Sequence, residues 1–227
     1  MSWIANFYRS ALGKKAVMAV TGVALFGFVL AHLAGNLKLY LGAEHMNEYA
    51  RFLRVMGAPA LPHSALLWIL RVGLLLAVIL HIDAATRLTI MSRKSRPVRY
   101  ERQQYVVASY ASRTMRWGGV IILLFVIYHL MHLTWGMHVS PAPFVENDPY
   151  HNVVAGFQVW WVSAFYIVAN LALGLHLYHG LRAMFDSLGL NHPKFNHWRR
   201  WFAIAFALVV TLGNVSFPVM VLLGVVK

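Results

Sequence analysis

Five long apolar segments dominate the chain, at roughly 17–41, 65–91, 117–138, 157–185 and 201–226. Each is close to or above the roughly 20 residues that a helix needs to cross a bilayer. Together they take up about half of the 227 residues, and the connections between them are too short for a separate soluble unit. With lipid as the solvent, backbone N–H and C=O groups must be satisfied inside the chain, so the fold class expected is all-α: five transmembrane helices in a bundle, forming a single membrane domain over 1–227. Composition agrees. Only 12% of residues are charged, against about 25% in soluble domains. The apolar run after Arg9, Lys14 and Lys15 continues past position 30 with no small-residue cleavage pattern, so the first helix is expected to persist rather than to be removed as a signal peptide.

A net charge of +13 would suit a nucleic-acid partner, but its distribution gives it a simpler origin. Of the 20 Lys and Arg residues, 15 fall in the N-terminal segment, in Arg87–Arg116 and in Arg182–Arg200, which five antiparallel spans put on one side. The other side has Lys38, Arg51, Arg54, Arg71 and Lys227. The positive-inside rule then predicts a cytoplasmic N-terminus and an external C-terminus, with no nucleic acid involved. The external connection 42–64 carries helical patterning around Tyr49–Met56. The stretch 139–156 has Pro141, Pro143, Pro149 and no basic residue, and reads as an external loop. Residues 1–16, with Trp3, Phe7 and Tyr8, suit the headgroup level, and Pro218 is expected to kink the fifth helix. The absence of cysteine excludes iron–sulfur ligation and covalent haem attachment within this chain.

Four histidines lie inside four different helices: His32, His81, His129 and His176. One such residue is ordinarily a hydrogen-bonded core histidine; four on four helices mark a functional site, since ionisable groups at that depth need partners. At 1.5 Å per residue, His32 lies about 22 Å and His129 about 18 Å from the cytoplasmic entry of their helices, while His81 and His176 lie about 24 and 28 Å from the external one. Two pairs follow, His32 with His129 in the outer half and His81 with His176 in the inner half. Each pair can supply two axial imidazoles to one haem iron, the two centres roughly 10–20 Å apart along the membrane normal. A zinc site would draw its ligands to one point, commonly with cysteine. A proton relay would want interleaved carboxylates, and only Asp83 lies near a helix interior. Gly35, Gly118 and Gly180 offer room beside His32, His129 and His176, or equally well serve close helix packing. His132 and His179, each three residues after a candidate ligand, remain alternatives as ligand, propionate partner or quinone donor.

These features resemble the dihaem cytochrome b membrane anchors of succinate:quinone oxidoreductases, the succinate dehydrogenases and fumarate reductases. The likeness runs through nearly the whole chain: FVLAHLAGN in the first helix, VILHIDAATRL in the second, and Arg116 thirteen residues before His129 in the third, with Gly119 between. In the fourth, His176 precedes Gly180 by four and Gly189 by thirteen. By those family spacings the resemblance selects His129 over His132 and His176 over His179, with Arg116 and Gly180 in the cofactor environment. Relatives often carry Trp-Gly where this chain has Leu188-Gly189.

The resemblance implies two haem b groups and a quinone, menaquinone in preference to ubiquinone, bound on the outer side, where His132 is a candidate hydrogen-bond donor and Trp135 a candidate to pack on the ring. It implies docking to a flavoprotein and an iron–sulfur subunit on the cytoplasmic face of a bacterial inner membrane. Succinate chemistry would lie in the flavoprotein, so this chain is not expected to act on succinate by itself. Two other functions fit histidine-bearing helices: a cytochrome b subunit of a hydrogenase, formate dehydrogenase or nitrate reductase, and a transporter with proton-coupling histidines, which would show no visible absorption.

Overall fold

The computed structural model describes residues 3–95 and 110–227, which contain helices and no strand. Five helices are long and apolar enough to cross a membrane: Ala11–Leu41, Ala65–Lys94, Met115–Leu133, Trp160–Ser187 and Asn196–Leu222. The all-α expectation of five spans holds, with boundaries set by local chemistry.

A short helix α1 (Trp3–Arg9) leads into α2 (Ala11–Asn36). Ser10 separates the two as the N-cap of α2, its hydroxyl accepting from Gly13 N at 2.9 Å. Lys14 is buried although it stands in the first turn of a membrane helix, and its ammonium donates to the Tyr8 and Arg9 carbonyls at 2.7 and 2.8 Å. Those are end carbonyls of α1, so the charge serves as a C-terminal cap. Trp3 and Phe7 are exposed, as an interfacial segment requires. Tyr8 instead donates its hydroxyl to Asp83, and this bond raises the phenol pKa above its ordinary value. Asp83 also forms an ion pair with Arg87 at 2.7 Å.

α2 tightens into a 3₁₀ turn at Leu37–Leu41 and stops at Gly42, whose φ of 96° favours glycine. The helical patterning after it forms α3 (Ala43–Val55). The second span is α4 (Ala65–Lys94), with Arg93 and Lys94 in its last turn, where cations suit the negative end of the helix dipole. α5 (Tyr110–Leu133) ends about a turn before the expected position 138, because Gly136 takes φ 60°.

The stretch expected to be an external loop contains α6 (Pro149–Gln158). Its signal was in the sequence: Asp148 caps the helix by accepting from His151 N at 3.0 Å, and Pro149 takes the first helical turn. The His151 N–H and the Asn47 amide hold the Asp148 carboxyl below its usual pKa. A break at Val159 starts α7 (Trp160–Ser187), which closes at Gly189, φ 74°. α8 (Asn196–Leu222) begins five residues before the expected start and holds Pro218, fully buried, inside its last turns.

α7 is the hub of the bundle. It packs along α8, along α5 and against α2, and α2 in turn carries α4. Small residues make the closest approaches: Ala203 and Ser163 are fully buried, and Gly213 lies under Leu33 of α2. Among the described residues, α4 and α5 do not pack extensively on each other. The four intramembrane histidines lie on α2, α4, α5 and α7.

Candidate functional site

The histidines gather at two levels. At the level farther from α1, the rings of His32 on α2 and His129 on α5 face each other with centroids 5.9 Å apart and planes at 90°. Phe28 stacks on His32 at 5.3 Å and Phe125 leans on His129 at 5.7 Å, so aromatic surface walls both rings. The Tyr166 hydroxyl on α7 lies 3.3 Å from His129 Nδ1 and 3.1 Å from His132 Nδ1.

At the level nearer α1, His81 on α4 reaches across to α2, its Nδ1 3.1 Å from Thr21 Oγ1. A Cβ on Gly22 would come within 3.7 Å of His81 Cε1, so the ring lies against bare backbone. His176 on α7 lies over Gly119 of α5 in the same way, at 3.8 Å. His176 is within electrostatic reach of His81, and its Nδ1 is buried with no hydrogen-bond partner.

Two helices measure the spacing of the levels independently. On α2, His32 is eleven residues beyond Thr21, the residue that touches His81, which is about 16 Å of helix. On α5, His129 is ten residues beyond Gly119, the residue under His176, which is about 15 Å.

Among the described residues, no three of His, Cys, Asp and Glu converge on one point. The arrangement offers pairs instead. Imidazole nitrogens bind first-row metals at about 2.0–2.1 Å, so two rings on opposite sides of one ion have centroids roughly 6 Å apart. The His32–His129 separation of 5.9 Å matches that span.

A family model for succinate dehydrogenase/fumarate reductase transmembrane subunits matches residues 92–215, more than half of the chain. The chain belongs to this family. No curated protein and no solved structure matches it in the corresponding searches. The matched stretch of this transmembrane subunit holds His129 and His176, while His32 and His81 lie on the two helices that precede it.

The remaining candidates of the subunit separate clearly. His132 does not meet the His32 ring. It is buried against Gly156, where a Cβ would lie 2.6 Å from its Cε1, and lines a small cavity with Met137, Ser140, Phe144 and Asn152. Trp135 is 60% exposed and does not line that cavity. His179 is half-buried one turn beyond His176, beside Arg182. Arg116 is exposed near the start of its span.

The expected glycine roles shift. Gly35 lies under Tyr49 and not His32, Gly180 faces Met115 of α5, and Gly118 has open space around it. The glycines beside His81 and His176 are Gly22 and Gly119, and Gly156 lies beside His132. Thr21 and Tyr166 escaped the sequence reading, since a hydroxyl in an apolar helix has no periodic signature; only the positions of His81 and His129 across the bundle single them out.

Proposed function

We propose that this subunit, as one membrane domain, is the dihaem electron-transfer anchor of a succinate dehydrogenase or fumarate reductase. In this reading His32 and His129 hold one haem b, and His81 and His176 hold the other. The N-terminus is cytoplasmic, in a bacterial inner membrane. Electrons pass between an iron–sulfur subunit and quinone, menaquinone in preference to ubiquinone, while a flavoprotein acts on succinate or fumarate. The observation that carries the reading is the repeated spacing, about 15–16 Å between two histidine levels on two separate helices.

The residues present fit the group. The unpartnered, buried His176 Nδ1 and the bare backbone at Gly22 and Gly119 are what a flat macrocycle and its ligands would use. Haem iron between two imidazoles supplies one-electron transfer at a potential set by its surroundings. The chain's own part is to fix the rings. Phe28 and Phe125 pack on the rings of the outer pair, while the Tyr166 and Thr21 hydroxyls engage Nδ1 atoms of His129 and His81. Quinone is assigned to the outer face beside the His132 cavity, with Trp135 at its lipid-exposed margin. The purified complex is expected to show b-type absorption bands that appear on addition of succinate or another reductant. A complex without visible absorption would contradict the reading and favour a proton-coupling use of the histidines.

The partners are assigned to the face that carries α1. Arg93, Lys94, Arg182 and Arg200 are exposed there or half-exposed, and available to acidic protein surface or to anionic lipid. Arg199 is not: it is tied to Asp186 at 2.8 Å and to the Leu190 carbonyl at 3.0 Å. Arg96 and Arg99, in the same basic stretch, lie outside the described residues. Charge reversal at Arg93 and Lys94 is expected to reduce copurification of the iron–sulfur subunit, most clearly at low salt and with the difference from wild type shrinking as salt rises. An intact complex whose crosslinks run from 139–156 would reverse the orientation.

A further inference from the structure

Resting on the ligand reading above, the hydrogen-bond geometry points to Thr21 as a positioning residue, and we propose that it locks His81 in the tautomer with its proton on Nδ1, leaving Nε2 bare for the metal. The assignment follows from counting protons. A threonine hydroxyl has one to give. Thr21 Oγ1 lies 2.7 Å from the Val17 carbonyl and 3.2 Å from the Met18 carbonyl, and a carbonyl can only accept. The Thr21 proton is therefore engaged along its own helix. Toward His81 Nδ1, 3.1 Å away, the oxygen has only a lone pair to offer. The ring nitrogen must donate.

A threonine bonded to the carbonyl four residues back is commonplace in membrane helices and by itself says nothing about function. What sets Thr21 apart is its second bond, to a residue 60 positions away on another helix. Thr21 is buried, and Gly22 beside it lets the His81 ring lie close to α2. A β-branched side chain in a helix has few χ1 choices, so the acceptor lone pair is held in place.

The other three histidines have no such lock. Tyr166 meets two ring nitrogens with one proton, so either His129 or His132 can be its donor. His176 Nδ1 has no partner, and the contacts of His32 are aromatic. Thr21 thus acts on one level alone. By accepting from Nδ1–H it makes the imidazole a stronger electron donor, which favours the oxidised metal and lowers the potential at that site.

The test uses the whole complex carrying Thr21→Val, which keeps the shape and removes the oxygen, and Thr21→Ser, which keeps the oxygen. A redox titration followed optically and by electron paramagnetic resonance is expected to show one of two midpoint potentials raised in T21V. The other stays unmoved, and T21S restores the first. The raised centre should be the one absent from a His81→Ala complex; complete loss of that centre alone in T21V is the same result in stronger form. Two unmoved potentials, a shift of both, or a T21S complex that behaves as T21V overturns the proposal while leaving the ligand reading intact. A wild-type complex with fewer than two haems would instead overturn the ligand reading. Should T21V fail to accumulate, Thr21→Ala in the whole complex decides the matter by the same titration: a raised potential at the His81 centre alone upholds the assignment, and two unmoved potentials refute it.

Discussion

His129→Ala is expected to remove one of the two proposed haems, whereas His132→Ala is expected to leave both in place. The two residues sit one turn apart on α5 and both reach the Tyr166 hydroxyl, so hydrogen bonding does not separate them. Position does. The His129 ring faces His32 at 5.9 Å, while His132 is turned into the contact with Gly156 and the outer cavity. Without its imidazole the pair would offer the haem a single protein ligand, and the expected haem content falls by half. His32→Ala should remove the same spectral component, and His81→Ala or His176→Ala the other. In the His132→Ala complex the expected change is in quinone turnover, through a raised KM for quinone, with both haem signals retained. Loss of a haem from the His132 variant, with His129→Ala unaffected, would reverse the assignment on α5.

The second large effect concerns the interface between α7 and α8. Gly174 is buried at their contact, and a Cβ there would fall well inside the radius of Thr211 Oγ1 and 3.3 Å from Thr211 Cβ. The threonine cannot easily retreat, because β-branching leaves it few χ1 positions in a helix. Overpacking of this kind costs typically about 1–3 kcal/mol, so Gly174→Ala is expected to lower the thermal midpoint of the solubilised subunit. Gly174→Leu should separate the helices and prevent assembly. Thr211→Ala supplies the internal control. It removes the clashing oxygen, which is buried without a hydrogen-bond partner, so the Gly174→Ala/Thr211→Ala pair should recover much of the lost stability. An additive double mutant would mean that the two residues do not meet.

How much of this was legible in the sequence differs by level of structure. Five spans were readable because lipid tolerates few charges and demands internal hydrogen bonding, and length and hydropathy report both directly. The meeting of His32 and His129 at one level was readable because helix rise converts sequence number into depth. Depth does not report rotation about the helix axis. Gly35 and Gly118 therefore seemed as suitable beside histidines as Gly22 and Gly119, which the structure places there. Helix ends were misplaced where one residue's backbone decides, as at Gly136, φ 60°, and where a cap was overlooked, as at Asp148-Pro149. Thr21 and Tyr166 act through partners 60 and 37 positions away, and only the packed bundle makes those pairs visible.

The central claim is that four histidines on four helices hold two haems, one at each level. The pyridine haemochromogen assay on the purified complex, normalised to the quantity of this subunit, tests it most directly. The account predicts two protohaems per chain. One haem, or none, would contradict it.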